Sequence, residues 1–321
     1  IIEKKYITIE KIVIYWTSGF LSSKEILILK SKFETTVAIN IVDMQHLTGG
    51  CHYSYGCTQY KFGCFNCPAV STTKGKNQVA LSYKEKLHDF SKIRAEAICP
   101  VTFGLNQAIE SQIPFKHYHK IRHFVDSNYF YFTPNLNSKN IPTILVGAYN
   151  SHDPRKGFDI TFSALVELDE KLSLMNKYTN ILIPENFPSQ YFESFKCISI
   201  IKYKFATNEN ELRQIYNMAT IFLSTSLDDT GPTMIWESLA CGVPVIVSNT
   251  GLAKELISNN NDFGTVLDDF NSNCISNTLF NSLYGNNPLK PLQTISDKFK
   301  KVSSDQLFSS LIQEQRSGND L

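Results

Sequence analysis

Short apolar runs alternate with amphipathic helical patterns along almost the whole chain, and this alternation narrows the fold more than any other feature. KIVIYW (11–16), TTVAINIV (35–42), EAICPVTF (96–103), PTILVGA (142–148), NILIP (180–184), TIFLSTS (220–226) and VPVIVS (243–248) read as strands. SKEILILKSKF (23–33), residues 104–112, KGFDITFSALVELDEKL (156–172), ELRQIYNMA (211–219) and PTMIWESLA (232–240) read as helices. In 156–172 the residues Phe158, Phe162, Leu165, Leu168 and Leu172 fall on one helical face. Strands alternating with helices predict an α/β fold of parallel sheets with helices on both faces.

The chain has 321 residues, enough for about two domains. The polar, aperiodic TPNLNSKNI (133–141) is the natural boundary. It predicts a first domain over 1–138, a second over 139–295, and a C-terminal helix and tail over 296–321, after the loop GNNPLKPLQ (285–293). With 42% hydrophobic residues the chain can bury real cores, and a net charge of +1 gives no electrostatic case for nucleic acid. No run of apolar residues is long enough to predict a membrane-spanning helix, and no signal peptide is visible in a chain that starts at Ile1. Cys99, Cys197, Cys241 and Cys274 are scattered, three of them among apolar neighbours, and read as core residues in a reducing compartment, which predicts a cytoplasmic protein.

The sharpest chemistry lies in LDDTGPTMIWESLACGVPVIVSNTG (227–251). A strand ends at Ser224–Ser226, and a polar loop leads through Gly231-Pro232 into a helix that Asp229 or Thr230 can cap. The N-terminus of that helix opens at the carboxyl end of a parallel strand, where α/β sheets bind ligands, and its free N–H groups favour phosphate. Asp229 and Glu237 flank this position from loop and helix. A purely structural use, with Asp229 as cap and Glu237 as a solvated helix residue, fits the spacing equally well.

The acid-x7-acid spacing of Asp229 and Glu237, followed by ESLACGVPVIVSNTG, resembles the donor-site signature of glycosyltransferase family 4, retaining enzymes with the GT-B fold. VGAYNSHDPRKGFDITFSALVEL (146–168) resembles the same family's strand, loop and Lys-Gly helix start. WTSGF (16–20), VDMQHLTGGCHYSYGC and CFNCP (64–68) look like a subgroup that adds sugars to bacterial surface polysaccharides. The resemblance implies two Rossmann-like, doubly wound domains facing across a cleft, the second holding the nucleotide sugar and the first presenting the acceptor. It implies that Asp229, where the family usually has Glu, contacts hydroxyls of the transferred sugar. Glu237 would hold the ribose, Lys156 would pair with the donor diphosphate, and Gly231, Pro232, Thr233 and Met234 would face the sugar and diphosphate. Retention in the family is ascribed to front-face attack, which needs neither a protein base nor a catalytic metal.

The implied function is hexosyl transfer from a UDP- or GDP-type donor to a glycan or polyprenyl-linked acceptor, at the inner face of the membrane. Lys298, Lys300 and Lys301 offer a small basic group there, or simply a solvated helix face. The chain departs from the family at three points. Val42 precedes Asp43 where the subgroup has histidine, Ala148 stands where many members have arginine, with Arg155 as a substitute, and the first βα units with their glycine-rich loop precede Ile1 in the family, so the first domain is expected to be truncated. These departures keep open a non-catalytic sugar-nucleotide- or glycan-binding subunit and a GT-B nucleotide-sugar epimerase.

Residues 46–70 hold Cys51, Cys57, Cys64 and Cys67. Three arrangements fit: a structural Zn2+, with Cys64-x2-Cys67 as a knuckle half; disulfides; or reduced thiols packed in an aromatic loop. A zinc or other structural staple is placed first, and a catalytic metal is disfavoured because four thiolates close the coordination sphere. The loop follows strand 35–42 and is expected to form a cleft wall, with Gly49 and Gly50 allowing close backbone approach and His46 and His52 facing ligand, or hydrogen-bonding within the loop.

Overall fold

The computed structural model describes residues 9–121, 125–134, 141–147, 152–187, 192, 194–231, 233–257, 261–267, 269–285 and 293–300. The chain divides into two compact units, Ile1–His123 and Phe124–Leu321. The expected boundary at 138/139 lies outside the described residues.

The first unit is a parallel sheet of β1 (Lys11–Ile14), β2 (Thr36–Asn40), β3 (Glu96–Cys99) and β4 (His117–Lys120), in that order. Helix α1 (Ser23–Phe33) starts at a reciprocal cap. The Glu25 N–H donates to the Ser22 hydroxyl, and the Ser22 N–H donates to the Glu25 carboxylate at 2.7 Å. Its partner α2 (Thr73–Ile93) was not foreseen: its stripe of Val79, Tyr83, Leu87, Phe90 and Ile93 is only one residue wide, and only Tyr83, Phe90 and Ile93 of its 21 residues are fully buried. The strand expected over 96–103 stops at Cys99. Pro100 has no N–H to give, and α3 (Thr102–Glu110) begins after extended Val101. Strand β4 reads HYHK, too polar to be recognised, and pairs only with β3 among the described strands. Ile26, Val37, Ile39, Met44, Leu47, Phe90 and Cys99 form the core.

The second unit is a six-stranded parallel sheet of β5 (Thr143–Val146), β6 (Thr179–Pro184), β7 (Ile198–Tyr203), β8 (Ile221–Ser224), β9 (Val245–Val247) and β10 (Gly264–Val266), ordered β10-β9-β8-β5-β6-β7. Helices α4 (Phe158–Leu174), α5 (Glu209–Asn217), α6 (Thr233–Ala240), α7 (Leu252–Ile257) and α8 (Ser272–Tyr284) connect and cover it. The predicted face of α4 is the buried one: Phe158, Leu165, Leu168 and Leu172 join Ile275 and Leu279 of α8 in one core, with Phe162 packed against it. The helix starts at Phe158 rather than Lys156, because Pro154–Lys156 forms a separate 3-10 turn and Gly157 has φ +64°. Residues 293–300 are helical, with Phe299 against Trp236 and Phe263. The rest of the expected terminal helix, Lys301 included, lies outside the described residues, and Lys298 is paired with Asp262 at 2.8 Å. Among the described residues, no helix is long and apolar enough to cross a membrane.

The segment between β2 and α2 has little regular structure, and buried polar groups tie it down. The Lys86 ammonium, on α2, donates to the carbonyls of Gln45 (2.5 Å) and Thr48 (2.8 Å). A Cβ at Gly49 would meet the Val79 carbonyl at 2.4 Å, so glycine there serves close packing on α2. His46 is 6% exposed, lies beside Phe90, and its Nε2 has no partner. Burial, helped by the Lys86 charge, lowers its pKa from 6.5 to about 4. The unfolded chain therefore binds a proton that the folded unit refuses. Stability is complete above pH 6.5 and falls as pH drops toward 4, by on the order of 3 kcal/mol in total. We expect acid unfolding of the first unit to begin within this window, and His46→Leu to flatten it; denaturant melts between pH 4 and 7.5 measure both.

Candidate donor site

Strand order in the second sheet reverses between β5 and β8: β6 and β7 extend one way from β5, and β9 and β10 the other way from β8. The loops that leave the carboxyl ends of these two neighbours therefore diverge, which is the place where parallel sheets leave a crevice. Every described donor-side residue singled out in the sequence belongs to one of these loops or to the helix that follows it.

Backbone crossing sets the geometry. A Cβ at Gly157 would lie 2.2 Å from the Thr225 carbonyl oxygen, so only glycine lets the first loop cross the end of β8. Thr225 fixes the crossing through its hydroxyl, 2.9 Å from the Lys156 carbonyl and 2.7 Å from the Thr161 hydroxyl. The Leu227 N–H donates to the Arg155 carbonyl at 2.6 Å. On the far side, a Cβ at Gly251 would lie 2.2 Å from the Asp229 carbonyl, and the Ser248 hydroxyl donates to the Ser226 carbonyl.

This frame brings Lys156 and Asp229, 73 residues apart, to 2.7 Å. Their side chains are 23% and 12% exposed, so the pair is shielded yet reachable. The other Asp229 oxygen accepts the Gly231 N–H at 3.2 Å. Arg155 is used by the protein itself, its guanidinium donating to the Asp153 carboxylate (2.6 Å) and to the Asp228 carbonyl (3.1 Å). Asp153, which sequence reasoning missed, thus anchors the turn. Met234 packs over the end of β5, where a Cβ at Gly147 would meet its Cε at 3.0 Å and the Tyr203 hydroxyl oxygen at 2.8 Å. Thr233 is exposed at the start of α6, Gly231 is half-buried, and Pro232 and Ala148 lie outside the described residues. A cavity of about 280 Å³ opens beside the first loop, lined by His152, Asp153, Phe158, Leu227 and Phe270 among others.

Glu237 accepts the hydroxyl proton of Tyr216, from α5, at 2.6 Å. Nothing in the spacing marks Tyr216, because the contact spans two helices. Burial raises the Glu237 pKa above its ordinary 4.5 although Tyr216 works against the shift, and burial together with the Glu237 charge raises Tyr216 well above its own ordinary value.

In the first unit all four clustered cysteines are free thiols, so the disulfide arrangement is not formed. Cys51, Cys57, Cys64 and Cys67 all line one cavity of about 310 Å³ with Gly49, Gly50 and Val79. Among the described residues, no three His, Cys, Asp or Glu side chains are gathered as they would be around a metal ion. His46 sits in the core and Gly50 faces open space, whereas His52 is half-buried against Asp43.

Comparison with known proteins agrees with this architecture. The sequence profile of the family described as "Glycosyl transferases group 1" matches residues 135–283, within the second unit. No curated protein sequence matches the chain. Among solved structures, sucrose-phosphate synthase from Thermosynechococcus elongatus is similar at a TM-score of 0.63 and 13% identity, over 96% of this chain and 74% of that one. Anabaena HepE in complex with UDP-glucose gives 0.58 and 14%, over 96% and 79%. The E. coli trehalose-6-phosphate structure bound with UDP-2-fluoro glucose gives 0.64 and 11%, over 98% and 74%. At these identities the likeness is one of fold, and the fold is GT-B: two Rossmann-like units of parallel sheet.

The raised Glu237 pKa makes its charge a cost to the fold. Between the ordinary value of 4.5 and the raised folded value, the native state holds a proton that the unfolded chain releases, so this group's contribution weakens as pH rises. Glu237→Gln keeps an acceptor for Tyr216 and removes the buried charge. We expect it to melt a few degrees higher than the parent at pH 7, with the difference vanishing near pH 4; thermal melts at both pH values decide it.

Proposed function

We propose that the protein is a retaining glycosyltransferase that moves a hexosyl group from a UDP- or GDP-type nucleotide sugar to a glycan or polyprenyl-linked acceptor in bacterial surface-polysaccharide synthesis. The observation that carries the reading is the Lys156–Asp229 pair, set at the strand-order reversal of the unit that the glycosyltransferase profile matches. The binding of UDP-glucose by Anabaena HepE, a protein of like fold, favours a uridine donor.

In this reading the diphosphate displaces the Asp229 carboxylate from the Lys156 ammonium and takes up its charge. Asp229, released, accepts hydroxyls of the sugar, while Thr233 and Met234 line the diphosphate end of α6. Glu237 holds the ribose, its orientation fixed by Tyr216. Lys156 stabilises the negative charge that develops on the leaving diphosphate, and the crossed loops hold it in place before substrate arrives. No protein base and no catalytic metal is assigned. The acting compartment is the cytoplasm, at the inner membrane face. A second reading, a sugar-nucleotide-binding subunit, is favoured by one observation: Val42 occupies the position beside Asp43 where the resembling subgroup has histidine.

We propose further that Cys51, Cys57, Cys64 and Cys67 hold a structural Zn2+, the loop drawing in around the ion. Their shared cavity supports this, as do backbone N–H groups already directed at sulfur, from Gly49 to Cys64 at 3.3 Å and from Gln59 to Cys57 at 3.5 Å.

Lys156→Ala is expected to lower kcat/KM for UDP-sugar turnover by about 10²–10³-fold. Binding of UDP-sugar by the parent without turnover supports the subunit reading, and no binding of UDP- or GDP-sugars by folded protein defeats both. Elemental analysis of purified protein is expected to find one zinc per chain, absent from a Cys64→Ser, Cys67→Ser variant; a metal-free parent that is folded removes the zinc assignment.

A further inference from the structure

The carboxyl ends of β1 and β2 carry a polar constellation that neither the donor chemistry nor the cysteine cluster uses. Asp43 is 7% exposed. One of its oxygens accepts the Gln45 N–H at 2.8 Å and the other lies 2.6 Å from His52 Nδ1. A carboxylate can only accept, so Nδ1 carries a proton, and in the neutral imidazole Nε2 is then the ring's acceptor. Nε2 faces the Ser18 hydroxyl at 3.2 Å. Beside it stands Trp16, its ring centroid 6.1 Å from that of His52, and 62% exposed.

Each member is held from behind. The Thr17 carbonyl accepts the N–H groups of Phe20 (2.8 Å) and Leu21 (2.9 Å), and the Thr17 hydroxyl accepts from the Gln45 side-chain amide at 2.9 Å. The Met44 N–H donates to the His52 carbonyl at 2.8 Å. The tryptophan is therefore exposed on a fixed turn, next to a histidine whose tautomer is set. An aromatic face adjoining a few oriented polar groups offers a ligand apolar and hydrogen-bonding contact side by side. The ligand it suits has an apolar face and hydroxyls that both donate and accept, which is the chemistry of a pyranose ring: C–H groups on one face, hydroxyls around the rim.

We propose that Trp16, Ser18 and His52 form a subsite for one sugar ring of a glycan acceptor. The apolar face of the ring lies on the indole, and one hydroxyl donates to His52 Nε2, taking the place that the Ser18 hydroxyl now holds. Ser18, released, donates to a sugar oxygen. Asp43 is the positioning residue, acting through His52. This deepens the transferase reading and, in naming the ring as the acceptor's, rests on it.

The chain has two tryptophans, Trp16 and Trp236, and Trp236 is 3% exposed. Acrylamide quenching therefore reports on Trp16. The probes are methyl glycosides of glucose, galactose, mannose and N-acetylglucosamine, titrated into the full chain. At least one is expected to protect Trp16 saturably. His52→Asn keeps an N–H for Asp43 but offers no acceptor at the Nε2 position, and is expected to weaken that binding tenfold or more. Ser18→Ala should weaken it about threefold, and UDP binding should be unchanged in both variants. If His52→Asn fails to fold, saturation-transfer NMR of the same glycoside with Trp16→Ala decides instead, with loss of ring contacts expected. Absence of protection by every glycoside, unchanged affinity in His52→Asn, or covalent labelling of Ser18 by a fluorophosphonate (the mark of a nucleophile) overturns the subsite. UDP binding with no glycoside binding defeats the subsite alone. Glycoside binding with no UDP- or GDP-sugar binding keeps the ring subsite and defeats the transferase reading.

Discussion

The crossing of two loops at the β5–β8 boundary is the constraint on which the candidate donor site depends. Pairing β5 with β8 places the carboxyl ends of strands far apart in sequence side by side. The chain leaving β5 must then pass over the end of β8, at a separation that leaves no room for a Cβ at Gly157. Once that contact is made, Lys156 has little choice but to meet Asp229, and Arg155 is committed to tying the loops together. The ion pair is thus a consequence of backbone topology. Partly shielded charge pairs add little net stability. In the proposed function, what this one supplies is a cation held in place and balanced until the donor's diphosphate replaces its partner.

The first unit solves a different problem. Its long segment between β2 and α2 has few backbone hydrogen bonds of its own, and it is fastened by groups that cost energy to bury. Lys86 spends its charge on two loop carbonyls, Asp43 orders the Gln45 turn and His52, and His46 is kept neutral among apolar neighbours. Such fastening is directional where apolar packing is not, so it holds the loop's side chains at set angles. The same groups make the unit sensitive to acid, because His46 resists protonation only while the fold excludes water.

Glu237 shows the same tension between fold and site from the other unit. A solvated helix carboxylate would be neutral for stability. This one is buried enough for its pKa to rise, and it is oriented by a tyrosine hidden still deeper. A residue that burdens the fold in this way fits the pattern of functional sites, where strain and perturbed ionisation concentrate.

The sequence by itself determined the class of fold and where the candidate donor-side residues lie along it. Apolar runs with strand period and the 158–172 helical stripe follow from burial, which is written locally in side-chain type, and α1 and α4 appeared close to where they were expected. Lys156, Gly157, Asp229 and Glu237 were legible for the same reason: they sit at fixed offsets from strand ends and helix starts. Polar β4 and α2 escaped notice, since β4 is a sheet-edge strand among those described, with no apolar face, and the apolar stripe of α2 is one residue wide among polar neighbours. Only the tertiary structure decided the partners. Tyr216 for Glu237, Asp229 for Lys156, Ser18 and Asp43 for His52, and Lys86 for the cysteine loop all come from other elements or distant turns. Spacing along a chain fixes which residues share a face, but hydrogen bonds and ion pairs between elements depend on how strands are ordered in the sheet, and the strand order β10-β9-β8-β5-β6-β7 is a property of the whole packed unit.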